Sequence, residues 1–125
     1  MSKQIVSTAA APRAIGPYSQ AVLTGDTAYL SGQLGMDPAT GELAQGVEAQ
    51  AHAAMKNIGA ILREAGLDYQ QIVKTTVFVK SLADFATVNA VYASYFQGDY
   101  PARSCVEVSA LPKGALVEIE CVAAR

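Results

Sequence analysis

Apolar positions along this chain recur with two periods. The clearest stretch is Ile72 to Lys80, IVKTTVFVK, dense in β-branched and aromatic residues, which predicts an interior strand. Before it, Val47, Ala51, Ala54, Met55, Ile58, Ile61, Leu62 and Ala65 return at helical spacing, while Lys56 and Arg63 fall on the opposite side. Gly66 stops that helix, and Leu67 stands where a Schellman cap places its apolar contact. After the strand, Ser81-Leu82-Ala83-Asp84 resembles a capping box with Asp in place of Glu, opening a second helix that carries Phe85, Val88, Tyr92 and Phe96 on one face.

Strand signals fill the two ends. Ile5 and Val6 suit a short first strand. The runs Ser19 to Thr24 and Thr27 to Gln33 are separated by Gly25-Asp26, which fits a two-residue type II′ hairpin. That register sets Thr24 opposite Thr27, Gln20 opposite Ser31 and Tyr18 opposite Gln33, bringing the tyrosine beside Ser31-Gly32-Gln33. Two further strands, Arg103 to Ser109 and Leu116 to Ala123, flank a connection containing Leu111-Pro112-Lys113-Gly114.

The order β, β, β, α, β, α, β, β predicts an α+β fold, a single domain over residues 1–125 with a mixed six-stranded sheet and two helices on one face. The other face, to which Leu30, Phe78 and Leu116 are assigned, then lacks cover, and a symmetric oligomer would supply it.

Composition narrows the function classes. The chain is 51% hydrophobic and 16% charged, with a formal net charge of -2. It has no electrostatic footprint for a phosphate backbone, so nucleic acid is disfavoured as a partner. Cys105 and Cys121 fall in separate strands, and with one histidine there is no zinc spacing, so free thiols in a reducing compartment and no metal are expected. No signal peptide and no run of membrane-spanning length is legible, which predicts a soluble cytoplasmic protein without a membrane partner.

Arg103, Cys105 and Glu107 should share one face of their strand. Arg103 is then either a carboxylate clamp or a solvated head at a strand entry. Glu118 and Glu120 lie opposite Val117, Ile119 and Cys121, as a solvated polar face or as carboxylates that hold the arginine or orient a water. Cys105 lacks an activating base, because His52 reads as a surface residue, and is assigned to a pocket wall. Cys121 reads as a buried small hydrophobe. Tyr18 either closes a pocket or packs on the hairpin, and Gly32 would leave its backbone open to a ligand. Asn89 reads as a buried amide bonded to nearby backbone, and Lys74 as a snorkelling lysine.

Several separate motifs in order, Ile15-Gly16-Pro17-Tyr18-Ser19-Gln20-Ala21, Ser31-Gly32-Gln33, Val73 to Lys80, Asp84-Phe85-Ala86-Thr87-Val88-Asn89, Pro101 to Val108 and Leu111-Pro112-Lys113, resemble the RidA (YjgF) family. The resemblance implies a chorismate-mutase-like fold assembled as a homotrimer with a barrel-like core and three sites in the clefts between subunits. It implies hydrolysis of 2-imino acids, chiefly 2-iminobutanoate and 2-iminopropanoate, to 2-oxo acids and ammonia, without a cofactor. Carried over by motif, Arg103 would grip the substrate carboxylate and Glu118 would position the attacking water. Tyr18, the backbone of Gly32 and the region of Cys105 would complete the pocket. Two alternatives from other classes are a translation-inhibiting endoribonuclease and a non-catalytic, chaperone-like trimer that binds 2-oxo acids.

Overall fold

The computed structural model describes residues 2–125. Its strands are β1 (Gln4–Val6), β2 (Ala21–Thr24), β3 (Thr27–Leu34), β4 (Ile72–Val79), β5 (Ala102–Glu107) and β6 (Val117–Ala124), and its helices are α1 (Val47–Glu64) and α2 (Phe85–Ala93). The six strands form one sheet in the order β1-β2-β3-β6-β4-β5. All neighbours run antiparallel except β4 and β5, which are parallel. A parallel pair needs a crossover, and α2 is that crossover. The expected α+β architecture with a mixed six-stranded sheet is therefore the fold.

Local chemistry accounts for most of the elements. Thr24 pairs with Thr27 across Gly25, whose φ of 58° is the left-handed conformation that a hairpin of this length needs and glycine supplies at no steric cost. At the end of α1 the Leu67 N–H bonds the Leu62 carbonyl at 2.8 Å and the Gly66 N–H bonds that of Arg63 at 3.0 Å, the two bonds of a Schellman cap. Ser81 behaves differently from expectation. Its hydroxyl accepts from the Ala83 N–H and caps a 3-10 turn, Leu82–Asp84, while α2 itself has no side-chain cap. A reciprocal capping box does occur at Asp68 and Gln71, ahead of β4.

The register divides the sheet into two faces. Ala28 and Leu30 of β3, Thr75, Val77 and Val79 of β4, and Val117, Ile119 and Cys121 of β6 are buried against Met55, Ile58, Ile61 and Leu62 of α1 and Val88 and Val91 of α2. Leu30 pairs with Cys121 and is 5% exposed, so it lies under the helices and not on the uncovered face. Leu116 precedes β6 and donates its N–H to Gln50 Oε1 at 2.8 Å. Phe78 does lie on the uncovered face, paired with Glu118 and accompanied by Tyr29 and Val106, both exposed.

The strand β3 slips register between Leu30 and Gln33, a bulge at Ser31-Gly32. The hairpin pairing extends one step beyond β2, with the Ser31 N–H bonding Gln20 O at 2.9 Å, and then ends. Tyr18 consequently does not pair with Gln33. It sits past a tight turn in which its N–H bonds the Gly16 carbonyl at 2.8 Å, and its ring is half exposed. The Gln20 side chain fixes this entry segment by bonding backbone groups of Thr8, Ala11 and Pro12.

Where β3 leaves the sheet, Gly35 lies against the backbone of Gln50 in α1, and a Cβ there would overlap the Gln50 carbonyl and Cα. Because backbone cannot yield as a flexible side chain does, Gly35→Ala is expected to cost about 1–3 kcal/mol. In urea unfolding this would appear as a lower midpoint at an unchanged slope.

Candidate functional site

Arg103 enters β5 two residues after Pro101, and its pairing with Thr75 aims it at the helix-covered face, where α2 crosses above. Phe85, Asn89 and Tyr92 follow one another at i, i+4 and i+7 and so share one stripe of α2. The Arg103 guanidinium lies 5.0 Å from the Tyr92 ring centroid and 5.6 Å from that of Phe85. Its Nη1 donates to Asn89 Oδ1 at 2.7 Å. Tyr92 is itself fixed by a 2.7 Å hydroxyl bond to Thr75 Oγ1.

The half-buried Asn89 thus bonds a side chain, not the backbone as its position in the apolar stripe had suggested. Every group bracing the arginine is uncharged. The ion pair recorded among the described residues is Arg125 with Asp26, at 3.6 Å, and no carboxylate neutralises Arg103. The guanidinium is held in one pose by two aromatic faces and an amide, with its charge and most of its donors left for an anion.

Cys105 is the next side chain on the same face, opposite Val77. Burial pushes its thiol up from the ordinary value, and Arg103 offsets this only in part. That opposes a nucleophilic thiolate and agrees with a wall position. Cys121 is buried beneath the helices and pushed up to about 12.

Glu118 projects from β6 onto the uncovered face, as does Glu120. Burial, with the neighbouring Glu120 charge adding to it, raises the Glu118 carboxyl above the usual carboxylate range. Gly32, in the β3 bulge, lies directly against it, and a Cβ there would run into the Glu118 carboxylate. The bulge glycine is what allows the carboxylate and an open backbone to sit together. Nearby, Tyr29, Lys74, Thr76 and Glu120 line a shallow depression of about 210 Å³.

The five residues singled out in the sequence therefore fall into groups. Arg103 and Cys105 lie on the helix-covered face at the β5 edge. Gly32 and Glu118 lie together on the uncovered face. Tyr18 lies at the turn before β2. Within one chain the arginine and the glutamate are on opposite sides of the sheet. His52, read as a surface residue, is half-buried, and its Nδ1 lies 2.8 Å from Tyr95 Oη. Asn89 is the contributor that sequence reasoning missed, although its i+4 spacing from Phe85 was a usable signal.

A family model described as Endoribonuclease L-PSP matches residues 8–125. The chain is 56% identical to a 2-iminobutanoate/2-iminopropanoate deaminase of Bos taurus, over 98% of this chain and 90% of that protein. To the protein of the same name from Homo sapiens it is 53% identical, over 97% and 89%. The crystal structure of RidA from the Antarctic bacterium Psychrobacter superposes with a TM-score of 0.96 at 48% identity, over 98% of this chain and 99% of that one.

The raised thiols give a direct check. A thiol whose pKa is raised ionises later as pH climbs, so half-maximal alkylation of Cys105 by iodoacetamide is expected above pH 9.0, its ordinary value. Cys121 should react only after denaturation. Mass spectrometry of the labelled protein distinguishes the two sites.

Proposed function

The chain belongs to the RidA (YjgF) family, whose model carries the description Endoribonuclease L-PSP, and on that premise we propose that it hydrolyses 2-imino acids such as 2-iminobutanoate and 2-iminopropanoate to 2-oxo acids and ammonia. The observation that carries this reading is the braced, unneutralised guanidinium of Arg103. It is a ready bidentate partner for the carboxylate that every 2-imino acid presents.

The chemistry asks for little more. With the carboxylate anchored, the imine carbon is held in place for an oriented water. Glu118, its basicity increased by burial, takes a proton from that water as the oxygen adds to the carbon, the C=N electron pair moves onto nitrogen, and the proton held by Glu118 passes to that nitrogen. The resulting carbinolamine collapses when its hydroxyl proton is taken up by Glu118 and delivered to the amine nitrogen, expelling ammonia and forming the C=O of the 2-oxo acid. The sum is imino acid plus water giving oxo acid plus ammonia. Gly32 offers backbone beside the carboxylate, Cys105 a wall beside the arginine, and Tyr18 a hydroxyl at the rim.

Opposite placement of Arg103 and Glu118 on the sheet supports a site assembled from two chains, the arginine from one and the glutamate from its neighbour. A homotrimer closes such a heterologous contact, buries the uncovered sheet faces in a barrel-like core and makes three equivalent clefts. Two free cysteines favour a reducing compartment such as the cytoplasm, where the role would be removal of reactive intermediates. No described helix is long and apolar enough to cross a membrane. The family description speaks of RNA cleavage, but His52, the sole histidine, is engaged with Tyr95 and meets neither Arg103 nor Glu118.

Generating 2-iminobutanoate in situ with an amino acid oxidase and following its loss by semicarbazide trapping tests the reading. Wild type should accelerate loss, and Arg103→Ala should lower kcat/KM by about 10²–10³-fold, with Arg103→Lys intermediate. Wild type at the spontaneous rate would refute it.

Assembly from two chains makes a further expectation. Arg103→Ala and Glu118→Gln subunits, each inactive alone, should regain activity when unfolded and refolded together. One half times one half of the clefts, about a quarter, then carry both intact residues. Sedimentation should also show a species well above the 13.0 kDa of one chain.

A further inference from the structure

A concavity of about 660 Å³ lies away from Arg103 and Glu118, between the solvent side of α1 and the loop that follows β3. That volume falls within the range of small-molecule sites. Its helix wall is built from Ala53 and Ala60, whose small side chains open the space, flanked by Lys56 and Arg63. These two cations are seven residues apart, about 10.5 Å along the axis and on one side of the helix. The loop wall carries Asp37 and Glu42.

That loop is pinned. Met36 bridges Leu43, the Asp37 N–H bonds Glu42 O at 2.9 Å, the Gly41 N–H bonds Asp37 O at 2.8 Å, and Asp37 Oδ1 accepts from Ala39 and Thr40. One carboxylate oxygen of Asp37 therefore shapes the loop and the other is left over. None of the four charged residues forms an ion pair with another; the Arg63 guanidinium is steadied by the uncharged Tyr69 hydroxyl beside Gly59.

At the floor is Asn57, 3% exposed. Its Nδ2 donates to the carbonyls of Leu34 at 3.2 Å and Met36 at 2.9 Å, which ties the β3 exit to α1. Both amide hydrogens are used on the chain. The amide oxygen takes no hydrogen bond from it, and among the described residues no polar side-chain atom is sealed and unsatisfied, so this acceptor opens on the cavity.

Unpaired charges of both signs on facing walls, with a buried acceptor between them, are complementary to a zwitterion. A simple anion would meet Asp37 and Glu42, and a simple cation would meet Lys56 and Arg63. We propose that this cavity binds a free α-amino acid, its carboxylate taken by Lys56 and Arg63 and its ammonium group by Asp37, Glu42 and the Asn57 oxygen. The aliphatic part would rest on the alanines of α1. The site is separate from the imine-hydrolysing cleft and does not depend on that assignment.

Isothermal titration calorimetry with L-alanine and L-methionine tests the proposal, set against ethylamine and propionate, which each keep one charge of L-alanine. Both amino acids should bind, each single-charge analogue should bind at least about tenfold more weakly, and so should the amino acids to Lys56→Ala, Glu42→Gln and the cavity-filling Ala60→Leu. Arg103 is itself a carboxylate partner, so Arg103→Ala, in which only this site remains, should still bind both amino acids. As a readout that needs no variant, the Asn57 side-chain amide resonances should shift on addition of L-methionine. Amino acid binding that disappears in Arg103→Ala while surviving in Lys56→Ala and Glu42→Gln would overturn the proposal, as would propionate binding equal to that of L-alanine, or no heat and no Asn57 shift.

Discussion

A cation braced by neutral groups is the interaction on which the reading of this molecule depends. Had a carboxylate fixed Arg103, the pair would be largely self-satisfied, and an incoming anion would have to displace a partner already in place. Asn89 supplies the orienting hydrogen bond without the charge, and the faces of Phe85 and Tyr92 lower the cost of desolvating the guanidinium while leaving its edge open. This bracing requires β5 to lie parallel to β4, since only a crossover helix returns over the sheet at that edge. The fold's one parallel pairing and its binding chemistry are thus the same feature seen at two scales.

The sheet's asymmetry extends that argument. Its helix-covered face is closed by α1 and α2 around buried Ile119, Val77 and Met55. Its other face combines Tyr29, Phe78 and Val106 with Lys74, Glu118 and Glu120. Such a mixture suits a partner surface that must exclude water in places and hold polar chemistry in others. Arg103 sits at the β5 edge, where one face gives way to the other, so a neighbouring chain docked on the uncovered face can carry its glutamate toward the arginine. Such an assembly would both cover apolar surface and complete the constellation.

Much of this was legible because the decisive signals are local. The helix α1 follows from periodicity, its end from Gly66 and Leu67, and the β2–β3 hairpin from Gly25-Asp26. Strand alternation likewise placed Arg103 with Cys105, and Glu118 opposite Ile119. What failed depends on longer range. A bulge at Ser31-Gly32 breaks the alternation after Leu30, so counting pairs back to Tyr18 overran the real ladder, and Leu30 was assigned to the wrong face. Ser81 was read as capping α2 because a serine three residues before an acidic residue looks alike ahead of an α-helix or a 3-10 turn. Asn89 was read as a backbone partner because an amide in an apolar stripe says nothing about which distant strand passes beneath it. The resemblance supplied the roles of Arg103 and Glu118, but only the register shows that one chain holds them apart.

That separation bears on how so sparse a site can work. An imine is already electrophilic, so the protein need not generate a powerful nucleophile. It needs to hold the substrate's carboxylate and deliver a water to the adjacent carbon. Burial of Glu118 would serve the second task by raising its proton affinity, whereas a cation paired with it on its own chain would lower that affinity again. With the cation on the other side of the sheet the two groups stay independent within one chain, and in the proposed assembly a second chain and a substrate would bring them to one carbon. The anionic substrate would then supply the negative charge that Arg103 lacks, and the carboxylate of Glu118 would be left free to act on water.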